Sequence, residues 1–297
     1  MYAKIKRAAA LALAVAMVAS LAACNKTPAP DEDVSSSGGF ERWKPSSWTN
    51  PLSIPELESE YQVEVPEENR QQLQEQRESL NSDIVCWLQV PNTSINKPVV
   101  QTTDNDYYYR RGLDKQYLFD GTLWMDYECD LKDGTKSDVP QNTIIYGHNL
   151  GNPQGVTDDP TGVEFAQLLY FNDIEFARAN PYVYLSTDNE DLVYQIFAVI
   201  YTEASMKPVS YIYPSYSNSD FAKLLEDIHA RSIYNYPDVN VTISDKILTL
   251  STCTYKYGPY SQNNQQRFVV FAKLVQGKNF AETANVEENP NPKQPTF

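Results

Sequence analysis

A cysteine that can act as a covalent nucleophile stands at the end of a predicted β-strand. Residues 247–252 form an apolar, β-branched run that closes on Cys253. A thiol at a strand end is held rigidly but can still face a cleft, as a nucleophile requires. A polar loop of residues 254–266 follows, and the next β-rich run begins at Arg267. If the two strands form an antiparallel hairpin, Arg267 lies beside Cys253.

A nucleophilic thiol needs a base, and the chain contains two histidines. His148 follows the short apolar run 142–147, which ends in a turn glycine, so this histidine also stands at a strand end. His229 lies in the helical stretch 221–232, where a place on the helix face explains it. We therefore expect His148 to be the base for Cys253.

These three residue types suit acyl transfer. An imidazole can take the thiol proton and later give it to a leaving amine. A guanidinium stays charged and donates in a fixed fork, so it can stabilise the oxyanion of a tetrahedral intermediate. The resulting thioester reacts with water in a hydrolase and with an amine in a transpeptidase. The residues alone do not decide between the two.

The stretches around these residues resemble the sortase family. Residues 249–253 read Thr-Leu-Ser-Thr-Cys, residues 146–149 read Tyr-Gly-His-Asn, and residues 267–270 read Arg-Phe-Val-Val. The order of the histidine, cysteine and arginine and their spacing match that family. Two further stretches resemble class B sortases. They are the helical stretch at about 218–232, ahead of the strand with the cysteine, and residues 105–127.

The resemblance covers about residues 67–275 and implies a particular activity. Sortases cleave a Thr–X bond in the C-terminal sorting signal of an exported protein, form a thioester, and transfer the product to a cell-wall or pilin amine. For class B, the implied signals are of the N-P-x-T-N or N-P-x-T-G type. The implied catalytic residues are His148, Cys253 and Arg267, and we expect no cofactor.

Three neighbouring polar residues are candidates for weaker roles. Ser251 and Thr252 either contact the substrate or the thioester, or pack within the strand. Asn149 either orients the histidine or forms the turn. Glu203 and Asp126 qualify only by residue type, so we assign no carboxylate to a catalytic triad.

The β-rich runs predict a mainly β fold. Seven or eight short strands with few helices between them are typical of a closed antiparallel β-barrel, which the resemblance identifies as sortase-like. A polar helix at 67–82 is predicted before the barrel, and a helical insertion at 218–232 before the strand with Cys253. The predicted strands are about 84–90, 97–101, 121–127, 142–147, 182–187, 192–202, 247–253 and 267–275.

The first residues predict export and anchoring. Residues 1–24 combine a basic start with an alanine- and leucine-rich run shorter than a membrane span, which is typical of a secretory signal peptide. Residues 21–24, Leu-Ala-Ala-Cys, resemble a bacterial lipobox, in which Cys24 is lipidated; an ordinary signal peptide or an uncleaved anchor are the alternatives. Residues 25–66 are rich in proline and serine and predict a tether. We expect a lipid-anchored protein on the extracytoplasmic face of the membrane, in a Gram-positive cell.

Charge and cysteine content exclude some other functions. The chain has 39 acidic and 24 basic residues, a net charge of −15, which argues against nucleic acid or an anionic membrane surface as a partner. The expected membrane contact is therefore the lipid anchor. With Cys24 lipidated, Cys86, Cys129 and Cys253 remain, and a Cys86–Cys129 disulfide stays open. No C-x-x-C motif or histidine cluster indicates a metal.

The sequence predicts a catalytic domain over residues 67–276. Residues 277–297 are polar and proline-rich and predict a disordered tail. Two other classes of protein fit part of the pattern. A papain-like or cell-wall cysteine hydrolase would use the same thiol and imidazole without requiring Arg267. A lipoprotein binding module would keep Cys253 buried and unreactive.

Overall fold

The computed structural model describes residues 65–151, 154–275 and 280–297. The predicted signal peptide, with its lipobox cysteine Cys24, lies outside the described residues, as does all of the predicted tether but residues 65 and 66. Within the described ranges, no helix has the length and apolar character needed to cross a membrane.

Twelve strands and three α-helices form in the part of the chain that the structure describes. The helices are α1 (Glu67–Ser79), α2 (Ile174–Ala179) and α3 (Asn218–Arg231), with 3-10 helices at Tyr107–Arg110 and Phe165–Asn172. The strands are β1 (Ile84–Gln89), β2 (Asn96–Val100), β3 (Trp124–Met125), β4 (Asn142–Tyr146), β5 (Asn149–Leu150), β6 (Val163–Glu164), β7 (Tyr182–Ser186), β8 (Asp191–Glu203), β9 (Tyr234–Asn235), β10 (Ile247–Cys253), β11 (Gln266–Leu274) and β12 (Glu287–Glu288).

Eight of the strands close into a barrel in the order β1-β2-β3-β4-β10-β11-β8-β7. Each of the eight predicted β-rich runs supplies one of these strands, so the mainly β, closed-barrel fold is confirmed. The other strands form two short pairs, β5 with β6 and β9 with β12. The predicted helices before the barrel and before the strand with Cys253 are α1 and α3.

Two strand pairings of the barrel depart from the antiparallel arrangement that the sequence predicts. β4 pairs with β10 in parallel, and so does β2 with β3; the other barrel pairs are antiparallel. Parallel neighbours need a long crossover connection, and the chain between β4 and β10 supplies one, since it includes β7, β8 and α3. The register of this pair runs from Ile247 opposite Asn142 to Ser251 opposite Tyr146.

A buried polar contact fixes the start of the β4–β10 pairing. Asn142 is fully buried, and its Oδ1 accepts a hydrogen bond of 2.6 Å from Thr249 Oγ1. Its Nδ2 donates to the carbonyl oxygens of Tyr211 and Tyr213 at 2.7 and 3.0 Å. Because an unpaired buried polar group costs about 1–3 kcal/mol, these bonds favour one register over its slipped alternatives.

β10 is central to the barrel, which explains its continuous apolar pattern. β4 and β11 flank it, and every residue from Ile247 to Thr252 is buried. Strands buried on both faces read as apolar runs and not as alternating patterns. Cys253 is the first partly exposed residue of the strand, because β10 ends there at the rim of the barrel.

The prediction of a disordered tail is wrong for residues 280–297. Val286 is 1 % exposed and belongs to the main hydrophobic core, and the Phe280 ring packs 5.4 Å from the Tyr182 ring. β12 adds backbone pairing with β9. The segment is polar and proline-rich overall, but a few apolar anchors and its backbone hydrogen bonds suffice to hold it on the barrel.

Candidate active site

Three strand ends meet at one rim of the barrel. In the β10–β11 hairpin Cys253 lies directly opposite Arg267, as the hairpin argument predicts. The parallel β4 brings its own end to the same rim, with Ser251 opposite Tyr146. One residue beyond that pair on each strand, Thr252 Oγ1 donates a 2.7 Å hydrogen bond to the carbonyl oxygen of Gly147. His148 follows and lines the same cavities as Cys253.

The turn between β4 and His148 has no room for a side chain. A Cβ atom on Gly147 would lie 2.5 Å from Leu123 Cδ2 and 2.7 Å from Phe165 Cγ. Real Cβ contacts essentially never come under 3.0 Å, so any other residue would force the Leu123 and Phe165 side chains, or the backbone just before His148, to shift. The glycine therefore sets the position of the imidazole.

Cys253 and His148 line two cavities that share these two side chains. We call the first, of about 230 Å³, the arginine cavity, because Arg267 lines it together with Thr252. We call the second, of about 350 Å³, the tyrosine cavity, because Tyr255 and Tyr260 line it. The thiol and the imidazole thus face two spaces that reactants can occupy.

The orientation of His148 is set by one backbone carbonyl and two rings. His148 Nε2 lies 2.7 Å from the carbonyl oxygen of Tyr109, and a carbonyl only accepts, so Nε2 carries the hydrogen. In the neutral ring Nδ1 is then the free base. The rings of Tyr109 and Trp124 pack against the imidazole at 4.4 and 5.7 Å between centroids.

Burial shifts the charge balance of both reactive groups towards the neutral form. Burial lowers the pKa of His148, the Tyr109 carbonyl opposes this, and Arg110 lowers it further. Burial raises the pKa of the Cys253 thiol, and Arg267 partly offsets that rise. Both shifts favour a thiol and a neutral imidazole over a thiolate–imidazolium pair.

The other two described cysteines are unsuited to catalysis. Cys86 and Cys129 are both buried free thiols, so the disulfide that the sequence left open does not form in this structure. Burial is the largest cause that raises the pKa of Cys129 to about 12, and burial also raises that of Cys86. Among the described cysteines, only Cys253 is partly exposed.

Arg267 is held by the backbone of the loop that precedes it. Its Nη1 donates to the carbonyl oxygens of Asn264 and Gln266, at 2.8 and 3.0 Å. These bonds fix the guanidinium at the wall of the arginine cavity, beside Cys253. The position of the charge therefore depends on the conformation of the β10–β11 loop, residues 254–265.

The structure places the three weaker candidates next to the thiol. Thr252 and Ser251 line the arginine cavity, and Ser251 Oγ also shares a 3.0 Å hydrogen bond with the buried Tyr211 hydroxyl. Asn149 Nδ2 donates to the Cys253 carbonyl oxygen at 2.9 Å and to Asp158 Oδ1 at 2.8 Å. Direct substrate contact by these residues stays a prediction.

Asp158 is a residue of the site that the sequence did not reveal. Its carboxylate accepts from Asn149 Nδ2, from the Thr254 hydroxyl and from the Tyr255 backbone N–H. It thereby ties the loop after His148 to the residues after Cys253. Asp158 sits in a polar turn, and no spacing in the sequence links it to Thr254 and Tyr255, which lie about 100 residues away in the chain.

The residues considered only by type have other partners. Asp126 accepts from the Tyr146 hydroxyl at 2.9 Å, and Glu203 is bound by Arg231 at 3.1 Å. His229 lies on α3, where its ring is 5.6 Å from that of Phe197. Within the described residues no group of three His, Cys, Asp or Glu could hold a metal ion, and the absence of a cofactor stays a prediction.

Comparison with known proteins agrees with the geometry. Residues 88–275 match the sortase domain family. Sortase B of Staphylococcus aureus is 31% identical over 204 residues, which are 68% of this chain and 74% of that protein.

Solved structures of sortase B are also similar to this chain. The sortase B structure from Clostridium perfringens has a TM-score of 0.56 at 29% identity, covering 68% of this chain and 100% of that one. A sortase B structure complexed with triglycine has a TM-score of 0.57 at 27% identity, over 70% of this chain and 86% of that one. The neighbours thus share the fold, and the matched region includes the strand ends that carry His148, Cys253 and Arg267. The chain belongs to the sortase family of cysteine transpeptidases and is similar to its class B members.

Proposed function

We propose that this enzyme cleaves the C-terminal sorting signal of exported proteins and transfers them, through a thioester on Cys253, to a cell-wall or pilin amine. The observation that carries the proposal is the in-register pairing of Cys253 with Arg267, which puts a fixed cation beside the nucleophile. The expected signals are of the N-P-x-T-N or N-P-x-T-G type, with cleavage after the threonine.

The first half-reaction forms the thioester. His148 Nδ1 takes the Cys253 proton as the sulfur attacks the threonine carbonyl carbon, and Arg267 stabilises the oxyanion that forms. The C–N bond then breaks, and the imidazolium gives its proton to the departing amine. Because the Tyr109 carbonyl accepts from Nε2–H, Nδ1 is the ring nitrogen left free to exchange the proton.

The second half-reaction consumes the thioester. The acceptor amine attacks the thioester carbonyl, His148 accepts an amine proton, and the oxyanion again lies beside Arg267. The C–S bond breaks, the amide bond is complete, and the sulfur regains its proton from the imidazolium. One base serves both half-reactions because the same imidazole lines both cavities.

The two cavities suggest how donor and acceptor are separated. Arg267 lines the arginine cavity, so the carbonyl whose oxyanion it stabilises belongs there, and with it the sorting signal. The tyrosine cavity reaches Cys253 and His148 from its own side and is open to the acceptor. The sortase B structure complexed with triglycine supports an amine of the oligoglycine kind as a trial acceptor.

Attachment to the membrane by a lipid on Cys24 completes the proposal. It is supported by the Leu-Ala-Ala-Cys sequence of residues 21–24 after a basic and apolar leader. Residues 25–66 would then act as a tether that lets the domain reach into the wall. A flexible chain of that length spans roughly 35 Å on average.

The catalytic pair is tested with a sorting-signal peptide and triglycine as substrates. Wild-type protein should give the peptide–triglycine amide, and Cys253→Ala should give no thioester. His148→Ala should lower kcat by about 10²–10⁴-fold, because both proton transfers lose their base. The matched control is His229→Ala, which should stay near the wild-type rate. If both histidine variants remain folded and lose kcat equally, His148 is wrongly assigned as the base. If the peptide is hydrolysed despite saturating triglycine, the protein is better described as a hydrolase.

The role of Arg267 is tested through both rate and thiol pKa. Arg267→Ala should lower kcat for thioester formation by about 10²–10³-fold, and Arg267→Lys should recover part of it because the charge remains without the fork. The cation also favours the thiolate, so Arg267→Ala should move the midpoint of Cys253 alkylation to higher pH. A near-normal kcat in Arg267→Ala would remove this residue from the mechanism.

The lipid anchor is tested by mass and by location. Intact mass of membrane-extracted protein should show cleavage before Cys24 and an added lipid, and Cys24→Ser should shift the protein to the precursor or the medium. A version that begins near residue 40 should keep its activity on short peptides, since the proposed catalytic residues all lie beyond that point. Membrane-extracted protein without lipid would refute the anchor but not the catalytic proposal.

A further inference from the structure

The segment 280–297, which we call the carboxyl segment, lies beyond the region that matches the sortase domain family. It begins against Tyr182 and passes β9, where Asn289 N–H donates to the carbonyl oxygen of Ile233 at 3.0 Å. Lys293 N–H then donates to the Ala230 carbonyl at the end of α3. Its last residues reach the β10–β11 loop, which holds Arg267.

The first contact with that loop is made at Tyr257. The Tyr257 hydroxyl donates to Gln294 Oε1 at 3.1 Å, and its ring packs 5.3 Å from the ring of Phe297. The Tyr257 backbone N–H donates to Gln266 Oε1 at 2.9 Å. Gln266 in turn accepts from Arg267 through its carbonyl oxygen. One chain of contacts thus connects the carboxyl segment to the guanidinium.

The second contact is made by Lys293, which joins a buried cluster of charged side chains. Lys293 forms an ion pair with Asp227, Asp227 pairs with Arg231 at 2.8 Å, and Arg231 pairs with Glu203 at 3.1 Å. Asp227, Arg231 and Glu203 are each at most 7 % exposed, so two buried carboxylates are balanced by Arg231 and Lys293. Without Lys293 the cluster would hold an uncompensated negative charge.

Both contacts converge on the residue before Arg267. Glu203, at the end of the charge cluster, lies opposite Gln266 in the β8–β11 register. Gln266 also holds the loop from within, since its Nε2 donates to the carbonyl oxygens of Gly258 and Asn263 at 2.6 and 2.9 Å. The carboxyl segment therefore supports the loop both at Tyr257 and, through Glu203, at the strand that carries Arg267.

We propose that Lys293 and Phe297 are positioning residues for the transferase reaction: they hold the β10–β11 loop so that Arg267 lies beside the Cys253 thiol. The inference rests on the proposed role of Arg267 at the oxyanion. It assigns to the carboxyl segment a part in catalysis although the segment lines neither cavity at the thiol.

The test is a double-mutant cycle in the full-length chain. Phe297→Ala and Lys293→Met are each made in the wild type and in Arg267→Ala, and kcat and KM for thioester formation are measured. In the wild type we expect kcat to fall by about tenfold with little change in KM, and in Arg267→Ala we expect almost no further loss, as for residues that act through one another. Phe297→Tyr should restore the rate, because it retains the ring that packs on Tyr257.

Two further measurements separate positioning from plain stability. Phe297 is 59 % exposed, so its truncation leaves the core intact, and Phe297→Ala should shift the Cys253 alkylation midpoint to higher pH, as Arg267→Ala does. The matched control is Phe280→Ala, at the other end of the same segment, which should lower Tm but change neither kcat nor the midpoint.

The outcomes distinguish the inference from the function on which it rests. Equal losses of kcat in both backgrounds, or no loss from Phe297→Ala and Lys293→Met, would overturn the positioning role. If Arg267→Ala itself changes neither kcat nor the alkylation midpoint, the proposed role of Arg267 is wrong. If kcat and the alkylation midpoint change in Arg267→Ala but not in Phe297→Ala or Lys293→Met, the role of Arg267 is supported. Only the part assigned to the carboxyl segment is then refuted.

Discussion

The site depends on the parallel pairing of β4 with β10. Because these neighbours run in the same direction, their ends lie at one rim, and the β10–β11 hairpin brings the start of β11 there as well. His148, Cys253 and Arg267 therefore converge although they lie 105 and 14 positions apart along the chain. An antiparallel β4 would carry its histidine to the opposite rim, and a slip of one residue would turn side chains to the other face. The hydrogen bonds of Asn142 at one end and the tight fit of Gly147 at the other secure this register.

The pKa values of His148 and Cys253 are set mainly by their burial. A resting thiolate–imidazolium pair would place two charges on a buried histidine and a partly buried cysteine, and burial shifts both pKa values against it. The charge directly opposite the thiol is that of Arg267. Burial favours the neutral thiol, and Arg267 partly offsets this. In the proposed mechanism a thiolate or an oxyanion forms beside this cation, so its stabilisation acts mainly on the reacting states.

The sequence predicted much of this fold and site because the main signals are local. Eight β-rich runs became eight barrel strands, and the polar loop between two of them was enough to place Arg267 opposite Cys253. The parallel pairing was missed because the hydrophobic pattern of a buried strand does not say which neighbour it meets or in which direction. Asp158 was missed since two of its three partners, Thr254 and Tyr255, come from a distant part of the chain. The carboxyl segment was predicted to be disordered because it is polar and proline-rich. Its two apolar anchors, Phe280 and Val286, nevertheless hold it on the barrel.

The protonation state of His148 in the resting enzyme tests the account most directly. Nitrogen-15 NMR of histidine-labelled protein, with His229→Gln to assign the two rings, reports both the charge and the tautomer. The structure predicts a neutral ring at pH 7, with the hydrogen on Nε2 donated to the Tyr109 carbonyl and no hydrogen on Nδ1. Because its pKa is lowered, the ring should become protonated only below the usual range for histidine. An imidazolium at pH 7, or a neutral ring with its hydrogen on Nδ1, would contradict the account.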